Sequence, residues 1–380
     1  MQKVSSAKYV EGNWSNTIDS AADSNQTLVL VFGDSGQIED PQPLIELRER
    51  YPLASIMGAS GAGVVSGLDV LDGSLTATAV RFEHTDLALA EIEVPDPDAS
   101  RESGRRLASQ LFSRPGLNSI YILADGLNVN GPELVLGLND ILPDHIGIAG
   151  GMAGDGVAFE RTWTLVNGLP RQRFVTGIGF YGSRFQMHRG CRGGSIGFGP
   201  RRVVTRSKGN VVYTLDGQPA LELYKDFLGD LASQLPAGAS HFPLSVFRNA
   251  TSDEVVVRFV LGIDEAQQSI TLAGDIPEGC QVQLSRASRD DLLQGSMMAA
   301  VDVMAEASTH TPVLNLVVSC IGRRLVLGEQ TEEELEAALE QLPEGSSQAG
   351  FYSYGEISSI EHRRCDMHNM TLTLTTLSES

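Results

Sequence analysis

Residues 28–32 (LVLVF) form an unbroken apolar run that stops at Gly33-Asp34, the pattern of a strand buried on both faces. A helical segment follows over residues 41–50 and ends at Tyr51-Pro52. The chain then enters an apolar strand leading into Gly58-Ala59-Ser60-Gly61-Ala62-Gly63, and residues 74–82 and 87–94 alternate with the period of half-buried antiparallel strands. About 91 residues later the same order returns. Residues 119–123 (SIYIL) end at Asp125-Gly126, a helix covers 132–142, and a glycine turn, Gly150-Gly151-Met152-Ala153-Gly154-Asp155-Gly156, precedes strands at 162–166 and 173–181. A third, more divergent copy has a strand at 314–320 (LNLVVSC), a helix at 331–342, the turn Gly350-Phe351-Tyr352-Ser353-Tyr354-Gly355-Glu356 and a last strand at 370–377. In its helix Thr331 is the expected N-cap, Glu334 would complete a capping box, and Leu335, Ala338, Leu339 and Leu342 mark the buried face.

Between copies two and three, the pattern predicts a helix at 219–228, strands at 244–247, 254–262, 269–275 and 281–285, and a long helix at 289–307 that buries Leu293, Met297, Val301 and Met304. The predicted class is α/β, with repeated β-α-β-β units forming mixed, largely antiparallel sheets covered by helices. A chain of 380 residues, 42% apolar, exceeds the roughly 250–300 residues of a single core, so two domains are expected. The boundaries are a lead segment 1–27, a first domain 28–218 holding two repeats, and a second domain 219–380 holding the third repeat with inserted strands and the long helix.

The net charge of -20 argues against nucleic-acid binding, which needs clustered cations to neutralise phosphates. One local basic stretch, residues 184–206, holds six arginines among glycines. No apolar run approaches the roughly 20 residues needed to cross a bilayer, and the N-terminus lacks the pattern of a secretory signal, so a cytoplasmic protein is expected. Cys191, Cys280, Cys320 and Cys365 have no paired spacing and are expected to be reduced thiols.

Common catalytic motifs fail on context. Gly33-Asp34-Ser35-Gly36 resembles the surroundings of a serine-protease nucleophile but has no matching histidine context. The glycine turns lead into strands where a dinucleotide fingerprint needs a helix N-terminus, and no phosphate-loop or zinc signature occurs. Three constellations remain. In the first, His188 lies in a donor-rich stretch with Arg189, Cys191 and Arg192 and is a candidate metal or haem-iron ligand. In the second, Cys320 and Arg323 follow the third repeat's first strand, where Asp34 and Asp125 stand in the other copies, and Arg323 is a candidate carboxylate clamp. The third joins Tyr354 and Glu356 to His368 and Asn369 on strands expected to lie side by side, with Glu356 fixing the tautomer of His368 for iron or a polar ligand. A hydrolase using Cys320 with His368 is the enzymatic alternative; a non-enzymatic role is expected.

Together, the paired glycine turns, Leu215-Asp216-Gly217-Gln218-Pro219-Ala220, Ser319-Cys320-Ile321-Gly322-Arg323, Gly350 through Ile357 and His368-Asn369-Met370-Thr371 resemble the FIST proteins, which have an N-terminal and a C-terminal FIST domain. The resemblance covers residues 28–375. It implies a bacterial sensory protein that binds a small or gaseous ligand. Residues 193–200, with Val204-Thr205-Arg206-Ser207 and residues 220–225, are similar to the NosP-type nitric-oxide sensors. That similarity implies haem b and a histidine kinase or cyclic-di-GMP enzyme as partner; it carries over no iron ligand, for which His188 is the first candidate in this sequence and His368 the second, and a homodimer is also expected. The alternative within the family is a sensor of a metabolite such as an amino acid, without haem, using Cys320, Arg323, Tyr354, Glu356 and Asn369.

Overall fold

A computed structural model describes residues 3–10, 12–15, 20–235, 237–247, 255–307, 313–359 and 364–379. Its seven helices among these residues are α1 (Gln42–Arg50), α2 (Ser100–Phe112), α3 (Gly131–Ile141), α4 (Ala220–Leu228), α5 (Arg289–Ala307), α6 (Ile321–Leu327) and α7 (Glu333–Leu339).

Each repeat builds the same three-stranded unit. Its first strand pairs in parallel with the strand after the crossover helix and, on its other edge, antiparallel with a later strand. In copy one, Thr27–Gly33 lies between Ser55–Ser60 and Leu75–Arg81. In copy two, Leu117–Ala124 lies between Gly147–Met152 and Phe174–Tyr181. In copy three, Leu314–Cys320 lies between Ser347–Ser353 and Leu372–Glu379. The units then exchange edges. Val64–Ser66 of copy one pairs with copy three, Thr164–Val166 of copy two with copy one, and Gly355–Ser358 of copy three with copy two. The exchange closes a ring of three sheets, so each sheet hides an edge that would otherwise be open.

The ring encloses one core, to which Leu30, Phe32, Tyr121, Leu123, Leu316 and Val318 contribute from all three units. Helices cover the outer faces: α1 on copy one, α2 and α3 on copy two, α5 and α7 on copy three. With a core on one side and helices on the other, the central strands are buried along their length, and Leu28 through Phe32 form a continuous, fully buried apolar run. Each such side chain contributes about 1.5–3 kcal/mol by leaving water. The glycine turns have a shared cause. A Cβ on Gly58, Gly150 or Gly350 would stand 2.2, 1.8 or 1.8 Å from the carbonyl oxygen of Val31, Ile122 or Val317, the residue paired with it in the neighbouring parallel strand.

A second domain inserts before copy three. Its nine-stranded sheet spans residues 195–287, packs against α4 and has a separate core that includes Val212, Leu221, Tyr224 and Ile270. Residues 314–379 then return to the ring.

Several expectations need correction. Within the expected lead segment, Lys3–Val10 is a strand on the edge of Leu75–Arg81. The arginine-rich joining segment contains a strand, Phe185–Arg192, paired with Leu372–Glu379. The stretch expected as one strand at 254–262 is two, Val255–Arg258 and Val260–Asp264, and Glu254 lies outside the described residues. α2 was not foreseen. α5 has the expected bounds, but its inward stripe is Leu292, Gly295, Ser296, Ala299, Ala300 and Val303, while Val301 is exposed. Small residues face inward because the chain crosses the helix at close range: a Cβ on Gly190 would lie 1.9 Å from Ala299 O. The expected capping box at Thr331 does not form either. Thr331 Oγ1 donates to Gly328 O, and Glu334 turns into the interior. Among the described residues no helix is long and apolar enough to cross a membrane.

Candidate functional site

The ring has three equivalent junctions, each where a donated hairpin meets a neighbouring unit, and the strand registers place Trp163, Gly63 and Gly355 at matching positions. Two junctions are filled. Where copy two meets copy one, the fully buried Trp163 occupies the space, and its Nε1 donates to Asp34 O at 3.0 Å. Where copy one meets copy three, Gly63 admits the Arg324 guanidinium, which donates to Ala62 O at 2.7 Å and to both oxygens of Asp72 at 2.8 and 2.7 Å.

Where copy three meets copy two, a cavity of about 370 Å³ remains. It lies just beyond Leu117–Ala124 and Leu314–Cys320, at the carboxyl ends of strands where α/β sheets commonly bind ligands. Copy two supplies the loop before α3 and Met152; copy three supplies Cys320, Ile321, Tyr354, Met367 and Asn369. The second domain closes the far side with Phe259, Leu261 and the turn at Ala273, Gly274 and Asp275. Asn130 ties the two domains at the rim. Its Nδ2 donates to Asp275 Oδ2 at 3.1 Å, while its Oδ1 accepts from Glu133 N at 3.2 Å as the cap of α3.

Three of the expected site residues meet in this cavity. The Tyr354 ring stacks on Phe159 with centroids 4.7 Å apart, and its hydroxyl donates to Gly156 O at 3.0 Å and to the Asp155 carboxylate. Burial raises the phenol's pKa above its ordinary value. Asn369 is almost wholly buried; its Nδ2 donates to Tyr354 O at 3.1 Å, and its Oδ1 has no partner among the described residues. Cys320 forms part of the wall. Burial pushes its thiol far above the usual range, which disfavours the thiolate that a nucleophile needs.

The other four residues lie elsewhere. Arg323 is fully buried and is not a ligand clamp. Its Nε and Nη2 engage Glu334 Oε2 at 2.9 and 2.8 Å, Nη2 also reaches Leu292 O at 2.8 Å and Ser296 Oγ at 2.7 Å, and Nη1 donates to Gly193 O. Glu334 in turn accepts from Ser319 Oγ at 2.8 Å and Tyr352 OH at 2.6 Å. A charge so enclosed needs every one of these partners. Glu356 stands opposite His368 across the strand pair, as expected, but its carboxyl is internal. It accepts from Ser353 Oγ at 2.6 Å and from Thr371 Oγ1 and N at 2.8 and 3.2 Å, and burial pushes its pKa up to about 8. His368 Nε2 lies 3.1 Å from Ser358 O. His188 sits on Phe185–Arg192 with Nδ1 3.9 Å from Glu306, and burial lowers its pKa.

Neither histidine lines the cavity. Haem held in it by His188 or His368 therefore does not fit the positions of these residues. Among the described residues, no group of three or more His, Cys, Asp or Glu is arranged to hold a metal ion. Sequence reasoning missed Asn130, Met152, Asp275 and Met367. Only Asn130 had a readable signal, as a capping residue before Gly131-Pro132.

The fold and cleft define a two-domain α/β protein with a small-molecule-sized cavity where its domains meet. The chain belongs to the FIST family: residues 27–218 match the FIST N domain and residues 220–359 the FIST C domain, and FIST domains are sensory domains of signal transduction. No curated protein matches the chain. Among solved structures, a crystal structure of a chorismatase aligns over 99% of this chain and 99% of its own, with a TM-score of 0.38 and 10% identity.

Proposed function

We propose that this FIST protein senses a small metabolite in the cleft between copies two and three and the second domain, and that occupancy is read by a signalling partner of the histidine kinase or cyclic-di-GMP enzyme class. The carrying observation is the open junction: of three equivalent positions, two are filled by Trp163 and Arg324, and the third leaves about 370 Å³. That volume falls in the range of roughly 300–1,000 Å³ of small-molecule sites. Membership of a sensory family supports the same reading.

The cleft walls come from both domains. A ligand touching Asn369 on the ring and the Asp275 turn on the second domain binds best when the two are held together, which gives the differential affinity that a conformational signal requires. The metabolite reading is favoured over a haem-based nitric-oxide sensor because the cleft is lined by apolar, amide and carboxylate groups and neither candidate histidine reaches it.

Thermal unfolding across a metabolite panel tests the proposal. A ligand at about a hundredfold its Kd adds about 2.7 kcal/mol of stability, a shift of a few degrees, and Asn369→Leu should reduce it. An absorbance spectrum after haem reconstitution tests the rival. A Soret band abolished by His188→Ala or His368→Ala, with no shift by any metabolite, would replace the metabolite reading.

A further inference from the structure

The one charged group facing the cleft is an acceptor. Three asparagines also line it, and each spends one of its two amide N–H groups on the protein: Asn130 Nδ2 on Asp275 Oδ2, Asn210 Nδ2 on Leu272 O at 2.8 Å, and Asn369 Nδ2 on Tyr354 O. The Asn369 oxygen is left buried and unpartnered, where an unmade hydrogen bond costs about 1–3 kcal/mol. Asp275 is the one charged side chain among the lining residues, and no cation pairs with it among the described residues. The first turn of α3, which would otherwise favour an anion, offers little: Pro132 has no N–H, and Glu133 N is capped by Asn130. A buried cation, Arg258, packs behind Gly274 and turns a guanidinium N–H to Met367 O at 2.9 Å, off the cavity surface.

Met152, Phe259, Leu261, Ile321 and Met367 supply the remaining wall, which is apolar and partly polarisable. One carboxylate and a few amide oxygens fall short of the six to eight oxygen ligands that calcium takes.

Resting on the cleft being the sensory site, we infer that its ligand is an organic amine, with a protonated amino group received by Asp275 and the Asn369 oxygen and an apolar body against the methionine-lined wall. A free carboxylate on the ligand opposes binding, because it would face Asp275 in a cleft with no Lys, Arg or His among its lining residues.

Isothermal titration calorimetry on the full chain tests the inference with matched probes: 2-phenylethylamine, 2-phenylethanol and 3-phenylpropanoate, and 3-methylbutylamine, 3-methylbutanol and 3-methylbutanoate. The expected result is that an amine binds at least tenfold more tightly than its alcohol and that the carboxylate binds most weakly. Asp275→Asn keeps an oxygen for Asn130 but loses the charge; it should weaken the amine at least tenfold and change alcohol binding less than twofold. Asn369→Leu should weaken both. Asp275 is only partly buried, so its variant keeps the test available even where Asn369→Leu misfolds. Alcohols or carboxylates binding as well as amines, or an unchanged amine affinity in Asp275→Asn, would overturn the amine while leaving the cleft as the site. No binding by any of the six probes, together with no stabilisation by the metabolite panel, would overturn both.

Discussion

Replacing Arg323 by methionine probes the buried network that fastens copy three to the long helix. The guanidinium and the Glu334 carboxylate are both fully buried and meet at 2.8 and 2.9 Å, and the cation also holds Leu292 O, Ser296 Oγ and Gly193 O. Removing it leaves the Glu334 carboxylate with only hydroxyl donors from Ser319, Tyr352 and Ser296 in a site closed to water. Breaking such a pair from one side costs about 3–5 kcal/mol, and the orphaned carbonyls place Arg323→Met in the upper half of that range. The double variant Arg323→Met, Glu334→Leu removes both charges, so it should be more stable than either single variant, with coupling of at least about 2 kcal/mol. Urea unfolding followed by tryptophan fluorescence measures it, since the buried Trp163 reports on the ring. Single variants within about 1 kcal/mol of the parent, or a double variant as unstable as the sum of the two, would refute the reading of the network as a mutually dependent pair.

Three further outcomes follow from the ring. Gly350→Ala places a Cβ 1.8 Å from Val317 O, which neither paired backbone can avoid, and should cost about 3 kcal/mol or more by the same unfolding assay, whereas Gly262→Ala, with open space around it and no left-handed backbone, should cost much less. Trp163→Ala should cost about 3–5 kcal/mol and open the junction beside Asp34; an unfolding midpoint equal to the parent's would show that the tryptophan does not fill it. Burial lifts Glu356 from 4.5 to about 8, so its neutral form contributes stability that is present below about pH 4.5 and is lost as pH rises toward 8. Glu356→Gln, neutral throughout, should gain on the parent between pH 5 and 8.5, and parallel stability profiles for the two proteins would count against a carboxyl held neutral.

The three-fold repetition was readable in the chain because its cause is local. A strand with a core on one face and a helix on the other is buried at every position and mostly apolar, as residues 28–32, 119–123 and 314–320 are, with only Ser119, Asn315 and Ser319 interrupting the pattern. The glycines at 58, 150 and 350 recur because parallel strands approach too closely there for a Cβ, and that contact repeats with the unit. Phe185–Arg192 gave no comparable signal. It pairs with Leu372–Glu379 far along the chain, and its half-exposed, charged positions read as a linker.

The candidate residues divide in the same way. Tyr354, Cys320 and Asn369 stand at strand ends, and the structure places all three in the wall of the cleft. Arg323, Glu356 and the two histidines lie away from the cleft; residue type and spacing do not say which way a polar side chain turns. That direction is set by partners such as Glu334, Thr371 and Glu306, which lie 11, 15 and 118 residues from Arg323, Glu356 and His188. The repeat, with its central strands and crossover helices, is written locally in periodicity and backbone approach. Which junction stays open, and that Asp275 of the second domain faces it, follow from ring closure, because both depend on side chains that no single stretch of chain brings together.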